Sequence, residues 1–450
     1  MQTRQIHQQF VKYVIPAVVG MVVQALYVIL DGIIVGHGIG EIGLASVNIA
    51  FPCTMVVISL AMLIAIGGAN VYSFYKGQGE AAKANHIFNQ CLTMSAAIGA
   101  IMALCSFFFR ERLAVFFGAN DALLPSTVAY LTWLTPFFFF QMLVCLFAAF
   151  VRNDASPKLA MLASVTGAVI NAALDVIFIL ILGFGIEAAA ITNGIGMLIE
   201  LTFYAVHFTR KQGTLRIHAP HFDIADIRRI LRNRFATFLM EFSLPAVTFS
   251  FNLAIMHTLG TLGVTAYSIV GYVCSIINMT LVGVTQGAQP LMSLYHGSGD
   301  TKSFDRVYRL GVCTNVIVPT VLVSLCIIFS SGMVSLFRAG NPELTSLTTQ
   351  MLRLYSIAHI AIGTTLMNIL YFQTTERNAC STLISLLRCI GFVQGFLLLS
   401  LFVFDGKGLY LTFLAGEVCH LLISIILVNR AKQLESKTAQ QSPETVDAPE

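Results

Sequence analysis

The chain has 450 residues, 56% of them hydrophobic and only 11% charged, with a net charge of +4 and a mean hydropathy of +0.80. A soluble protein carries about 25% charged residues, so this composition excludes a water-soluble globular fold. It points to a lipid-embedded chain, for which hydrocarbon admits only helices or closed barrels, because every backbone polar group must find its partner within the protein.

A barrel would read as alternating segments of about ten residues. Residues 242–299 instead hold no Asp, Glu, Lys or Arg, a run long enough for two helical spans of about 20 residues each. Taken in chain order, the first apolar stretch lies near 10–35 and contains Pro16. No small-residue cleavage site follows a short apolar core, so it reads as a membrane helix and not as a signal peptide. Further spans are expected near 45–73, 89–109, 127–151, 158–182, 186–209, 235–257, 264–293, 309–331, 349–373, 380–403 and 409–429. The expected fold is thus an all-α polytopic membrane protein with twelve transmembrane helices in two parallel six-helix bundles. Residues 1–209 form the N-terminal lobe, 210–234 a basic cytoplasmic linker, 235–430 the C-terminal lobe and 431–450 a polar, disordered cytoplasmic tail.

Placing both termini in the cytoplasm puts twenty of the 26 Lys and Arg residues inside, five outside and one, Arg388, within a span. Positive charge collects on the cytoplasmic side of membrane proteins, and a miscounted span would invert every later loop. The expected location is therefore the inner or plasma membrane. The ten cysteines fall almost entirely in apolar runs with no CxxC pair, which reads as packing.

A repeat with an offset of 220 residues runs through the chain. His37-Gly-Ile-Gly40-Glu-Ile-Gly43 recurs as His257-Thr-Leu-Gly260-Thr-Leu-Gly263, and Tyr75-Lys-Gly77-Gln-Gly79-Glu80 as Tyr295-His-Gly297-Ser-Gly299-Asp300. Phe117 and Ala119 likewise match Phe337 and Ala339. Six helices return the chain to its starting side, so the halves are parallel, an arrangement of secondary transporters in which the substrate path runs between the repeats. The repeated glycines read chiefly as tight turns.

Acids inside hydrocarbon need a reason, at roughly 2.5–3.5 kcal/mol each on insertion scales. Asp31 closes the first span. Asp175 lies deep in the fifth with Asn171 one turn before it, and Thr192 in the sixth can add a hydroxyl. Carboxylate, amide and hydroxyl oxygens suit a hard monovalent cation or a bound proton. The offset places Phe251, Gly391 and Gly395 opposite Asp31, Asn171 and Asp175, so one ion site is expected, in the N-terminal half. Glu241, Glu200 and Glu417 are further candidates for a substrate or proton pathway, with Arg388 requiring an acid partner. Motifs of metalloproteases, serine hydrolases and P-loop ATPases are absent from the sequence, so neither an enzyme nor direct use of ATP is expected.

Asp31-Gly-Ile-Ile-Val-Gly-His-Gly-Ile-Gly, Ala45-Ser-Val-Asn-Ile-Ala-Phe-Pro52 and Thr285-Gln-Gly-Ala-Gln-Pro-Leu-Met-Ser293, with the duplicated plan, resemble the multidrug and toxic compound extrusion family from about Phe10 to Arg430. The resemblance implies two bundles around a V-shaped cleft, alternating access, and antiport of H⁺ or Na⁺ against mostly cationic organic compounds. It also implies a monomer in the lipid bilayer, with neither a resident cofactor nor a nucleic-acid partner. Asp31, Asn171, Asp175 and Thr192 match the family's N-lobe cation site, Pro16 a bending proline of the first helix, and Glu241 an acid of the seventh. The tenth span has no carboxylate to pair with Glu241, unlike some members, which favours the N-lobe site. A lipid-linked sugar flippase of the same superfamily is the alternative, and would be expected to line its cleft with several arginines.

Overall fold

The computed structural model describes residues 2–210, 213–218, 223–332, 342–403 and 408–441. Within these it leaves out the side chains of Gln2, Glu41, residues 233–246, 249, 261, 389–390, 403, 410 and 435–441. The described residues are almost wholly helical and follow the expected twelve-span order. Helices α1 (Gln2–Gly38), α2 (Glu41–Gly77) and α3 (Ala81–Phe108) form the first three spans. After the short α4 (Arg110–Phe116), the fourth span is a pair, α5 (Leu124–Leu134) and α6 (Phe137–Asn153), bent by 51°. Pro136 stands at the bend, where it has no N–H to give to the helix ladder. The fifth span is α7 (Pro157–Asp175) continued by a π-helical turn (Val176–Ile181), and the sixth is α8 (Ile186–Thr209).

In the second half, α9 (Ile224–Gly297) contains the seventh and eighth spans, broken at Gly260. Then come α10 (Thr301–Ile328) and α11 (Pro342–Thr374). The eleventh span is α12 (Asn378–Leu386), a π turn (Leu387–Gly391) and α13 (Phe392–Val403), and the twelfth is α14 (Leu409–Gln441). Among the described residues, nine helices and the bent pair are each long and apolar enough to cross a bilayer.

Two boundaries differ from the sequence reading. The connection between halves is shorter than 210–234, because α9 starts at Ile224: Asp223 caps it by accepting from the Ala225 N–H. At the other end α14 runs on to Gln441, well past 430, since Ala, Lys, Gln, Leu and Glu between 431 and 441 are all good helix formers. The repeat of Phe117 and Ala119 at Phe337 and Ala339 lies outside the described residues.

The repeated glycines share conformation. Gly40 and Gly260 have φ of 83° and 65°, and Gly79 and Gly299 have 80° and 73°, values a side chain would strain. The described residues form three apolar cores. One draws on residues from Ile34 to Ile230, a second on residues from Val247 to Phe413. The third packs Ile6, Phe10 and Val14 of α1 with residues of α9, α10, α11 and α14. The first helix therefore touches both halves. Gly283 and Gly287 of α9 make this contact: a Cβ at either would meet the Val18 or Val14 Cα at 2.7 or 2.6 Å, the close approach that small residues four apart permit between membrane helices.

Candidate functional site

Asp31, Asn171, Asp175 and Thr192 meet where α1, α7 and α8 come together. Asp175 is the last residue of α7, roughly 27 Å from Pro157 at 1.5 Å per residue. Its side chain is wholly buried, as are Asn171 and Thr192, while Asp31 is half-buried. Thr192 donates its hydroxyl to Asp175 Oδ1. The Asp31 and Asp175 carboxyl groups face each other at hydrogen-bonding range. Oδ2 of Asp175 and both side-chain polar atoms of Asn171 have no hydrogen-bond partner. A buried polar atom without a partner costs about 1–3 kcal/mol, and the two oxygens among these atoms, Asp175 Oδ2 and Asn171 Oδ1, are of the kind that can accept a small cation or a proton.

Local sequence explains the placement. Asn171 and Asp175, four apart, share one face of α7, and that face meets α8 at glycine: a Cβ at Gly196 would lie 3.1 Å from Asn171 Cβ. The π turn that begins directly after Asp175 is a feature often found at functional sites. Tyr27, one turn before Asp31, and the buried Tyr130 of α5 lie within electrostatic reach of both carboxyls. Sequence reasoning missed these two; the signal available was the spacing of four between Tyr27 and Asp31.

The other candidates lie elsewhere. Glu200 of α8 accepts a 2.8 Å bond from Tyr204, with Arg152 nearby. Arg388, expected to need an acid, has Glu417 of α14: Nε donates to Oε1 at 2.9 Å. Glu241 stands on the helical backbone of α9, but its side chain lies outside the described residues. Pro16 is buried inside α1, two residues from the contact with Gly283.

The end of the bundle that carries the start of α1, the end of α14 and most of the basic residues is tied shut between halves. Arg152 donates to Gln286 at 2.6 Å, Asn153 and Gln289 exchange bonds, Ser293 donates to Asn70 at 3.2 Å, and Tyr295 donates to Gln9 at 2.6 Å. Each lies within about three turns of a helix end. At the tip, a Cβ on Gly77 would meet the Leu294 carbonyl oxygen at 2.1 Å, and one on Gly297 the Phe74 oxygen at 2.0 Å. Both pairs obey the 220-residue offset, so this is a self-matching contact across the repeat axis. Arg229 adds a bridge: it pairs with Glu376, donates to the Tyr75 hydroxyl and lies over the Phe74 ring.

The linker is strapped to the N-terminal half at this end. Asp154, buried, accepts from Lys76 Nζ at 2.7 Å, from Tyr72 and from Thr214, whose backbone N–H also donates to it. Burial pushes the Asp154 carboxyl up, but these bonds, with the Lys76 charge, outweigh it and hold the group below the usual carboxylate range. Asn85 and Asn89 bind the backbone of Arg216 and His218.

Two parallel repeats of membrane-spanning helices that meet at a contact face between the halves are the plan of a membrane transporter. The MatE family model matches twice, at residues 16–177 and 236–396, starting points that reproduce the 220-residue repeat, and the chain belongs to that family of multidrug efflux transporters. It is 21% identical to the multidrug export protein MepA of Staphylococcus saprophyticus, over 92% of this chain and 91% of that one. To the probable multidrug resistance protein YoeA of Bacillus subtilis it is 23% identical, over 81% and 78%. An outward-facing multidrug resistance MATE transporter shares the fold with a TM-score of 0.90, at 20% identity over 95% of this chain and 96% of that one.

Proposed function

We propose that this efflux transporter moves mostly cationic organic compounds out of the cell in exchange for H⁺ or Na⁺, working as a monomer in the inner membrane with both termini cytoplasmic. The observation that carries the reading is the Asp31–Asp175 carboxyl pair, the second member of it wholly buried beside the unpaired amide of Asn171. On this reading the contacts at the basic end close the cytoplasmic side. The site then takes an ion from outside, its charge falls, α1 rearranges about Pro16, and a cationic compound loses its counter-charge and leaves. Facing inward, the ion departs and the carboxylates recharge. Such a cycle runs only because ion and compound bind the two states unequally.

Uptake of an ethidium-like dye into proteoliposomes, with pH and Na⁺ gradients imposed separately, tests this. Accumulation against the dye's own gradient under one of the two supports exchange. Accumulation under neither sinks it.

A further inference from the structure

The C-terminal half holds a second buried ionisable cluster that the N-terminal site does not use. Glu417 lies eight residues into α14, about 12 Å from its start, and is 1% exposed. Its Oε1 accepts from Arg388, which the π turn Leu387–Gly391 carries. Its Oε2 faces His420 Nδ1 at 3.5 Å, and these two atoms, both buried, have no partner other than each other. The remaining ring nitrogen, His420 Nε2, lies 2.8 Å from the Ile384 carbonyl oxygen.

Simple valence fixes the chemistry. A carbonyl oxygen only accepts, so Nε2 carries a hydrogen. Nδ1 then either bears a second hydrogen or points a lone pair at a carboxylate oxygen. The second arrangement sets two electron-rich, desolvated atoms against each other. One proton between them turns that repulsion into a charge-assisted hydrogen bond. The Arg388 guanidinium balances the carboxylate, so the slot changes the net charge of the cluster by one when it fills. From α11, Tyr355 and His359 also sense the Glu417 charge; the side chain of Glu241 lies outside the described residues.

We propose that Glu417 and His420, braced by Arg388, form an exchangeable proton-binding site in the C-terminal half, separate from the Asp31–Asp175 site. A permanently protonated pair would close to the roughly 2.7–2.9 Å of a charge-assisted hydrogen bond, whereas Oε2 and Nδ1 stand 3.5 Å apart. The π turn under Arg388 supplies an element able to adjust as the site fills and empties, since π turns are single-residue insertions in the ladder.

The test needs no transport and no substrate, so it stands whichever ion drives export. Protein labelled with ¹⁵N-histidine is placed in lipid nanodiscs and titrated from about pH 9 to pH 5, the range in which histidines change charge. NMR follows the ring nitrogens and infrared difference spectra follow carboxyl protonation. We expect uptake of one proton, seen as a second N–H on His420 or a protonated Glu417 carboxyl. That signal should vanish in Glu417→Gln and in His420→Gln, whose amide can still donate to the Ile384 carbonyl. Thermal melts of both variants report whether each is folded, and the wild-type titration stands even if neither is. A His420 with one N–H beside an ionised Glu417 across the whole range overturns the proposal, and so does a proton that never leaves.

Discussion

Burial without a partner distinguishes Asn171 from an ordinary helix-packing amide. Its oxygen and nitrogen make no hydrogen bond although the residue is 3% exposed. If it serves only to hold α7 against α8, removing it should weaken the protein. If it waits for an ion, Asn171→Ala should leave ion-free thermal stability unchanged or raised, by up to about 1–3 kcal/mol of relieved desolvation, while the stabilisation conferred by the coupling ion disappears. Thermal melts with and without the ion separate these readings. Asp154 answers to pH. Because its carboxyl is held below the usual range, its contribution is complete above that range and is lost only as pH falls through the lowered value. Hydrogen exchange of the strap at 213–218 should therefore stay slow from about pH 7 down to about pH 5, and speed up across that window in Asp154→Asn. Asp31, Asp175 and Thr192 were legible in the sequence because polar groups in an apolar run are conspicuous. Tyr27 and Tyr130 were not, since a tyrosine in an apolar run breaks no pattern.

Helices announce their existence more clearly than their ends or their contacts. The spans stood out by hydropathy, and the offset of 220 residues set the two halves in register. The start of α9 at Ile224 and the run of α14 to Gln441 depend on capping and propensity in polar segments, where hydropathy is silent. The π turns after Asp175 and around Arg388 lie in uniformly apolar sequence that carries no local sign of them. The glycines divide. Gly40, Gly79, Gly260 and Gly299 do take the turn conformations expected of them, but Gly77 and Gly297 are helical and serve close approach between α2 and α9. Each would put a Cβ on a backbone carbonyl of the opposite repeat, which a side-chain shift cannot relieve. Gly77→Ala or Gly297→Ala should hold these helix ends apart. Cysteines placed at Phe74 and Leu294, in a background lacking the native cysteines, should cross-link readily in the parent and poorly in either variant.

Across the whole molecule, one end carries the ties between halves and the Asp31–Asp175 pair lies toward the other. Arg229 joins Phe74 and Tyr75 of the first half to Glu376 of the second. These groups are about a quarter exposed, at 21% and 28% for the ion pair, so the bridge is worth only about 1 kcal/mol. That suffices to shift a two-state balance several-fold. Arg229→Ala should enrich the state open at the basic end, as a longer distance between spin labels on the ends of α2 and α9. The central claim is that the Asp31–Asp175 pair couples an ion gradient to export. Gradient-driven dye accumulation by Asp31→Asn and Asp175→Asn in inverted vesicles tests it most directly. We expect each variant to insert and fold yet lose accumulation against the dye gradient; full ion-driven export by both would show that the coupling resides elsewhere.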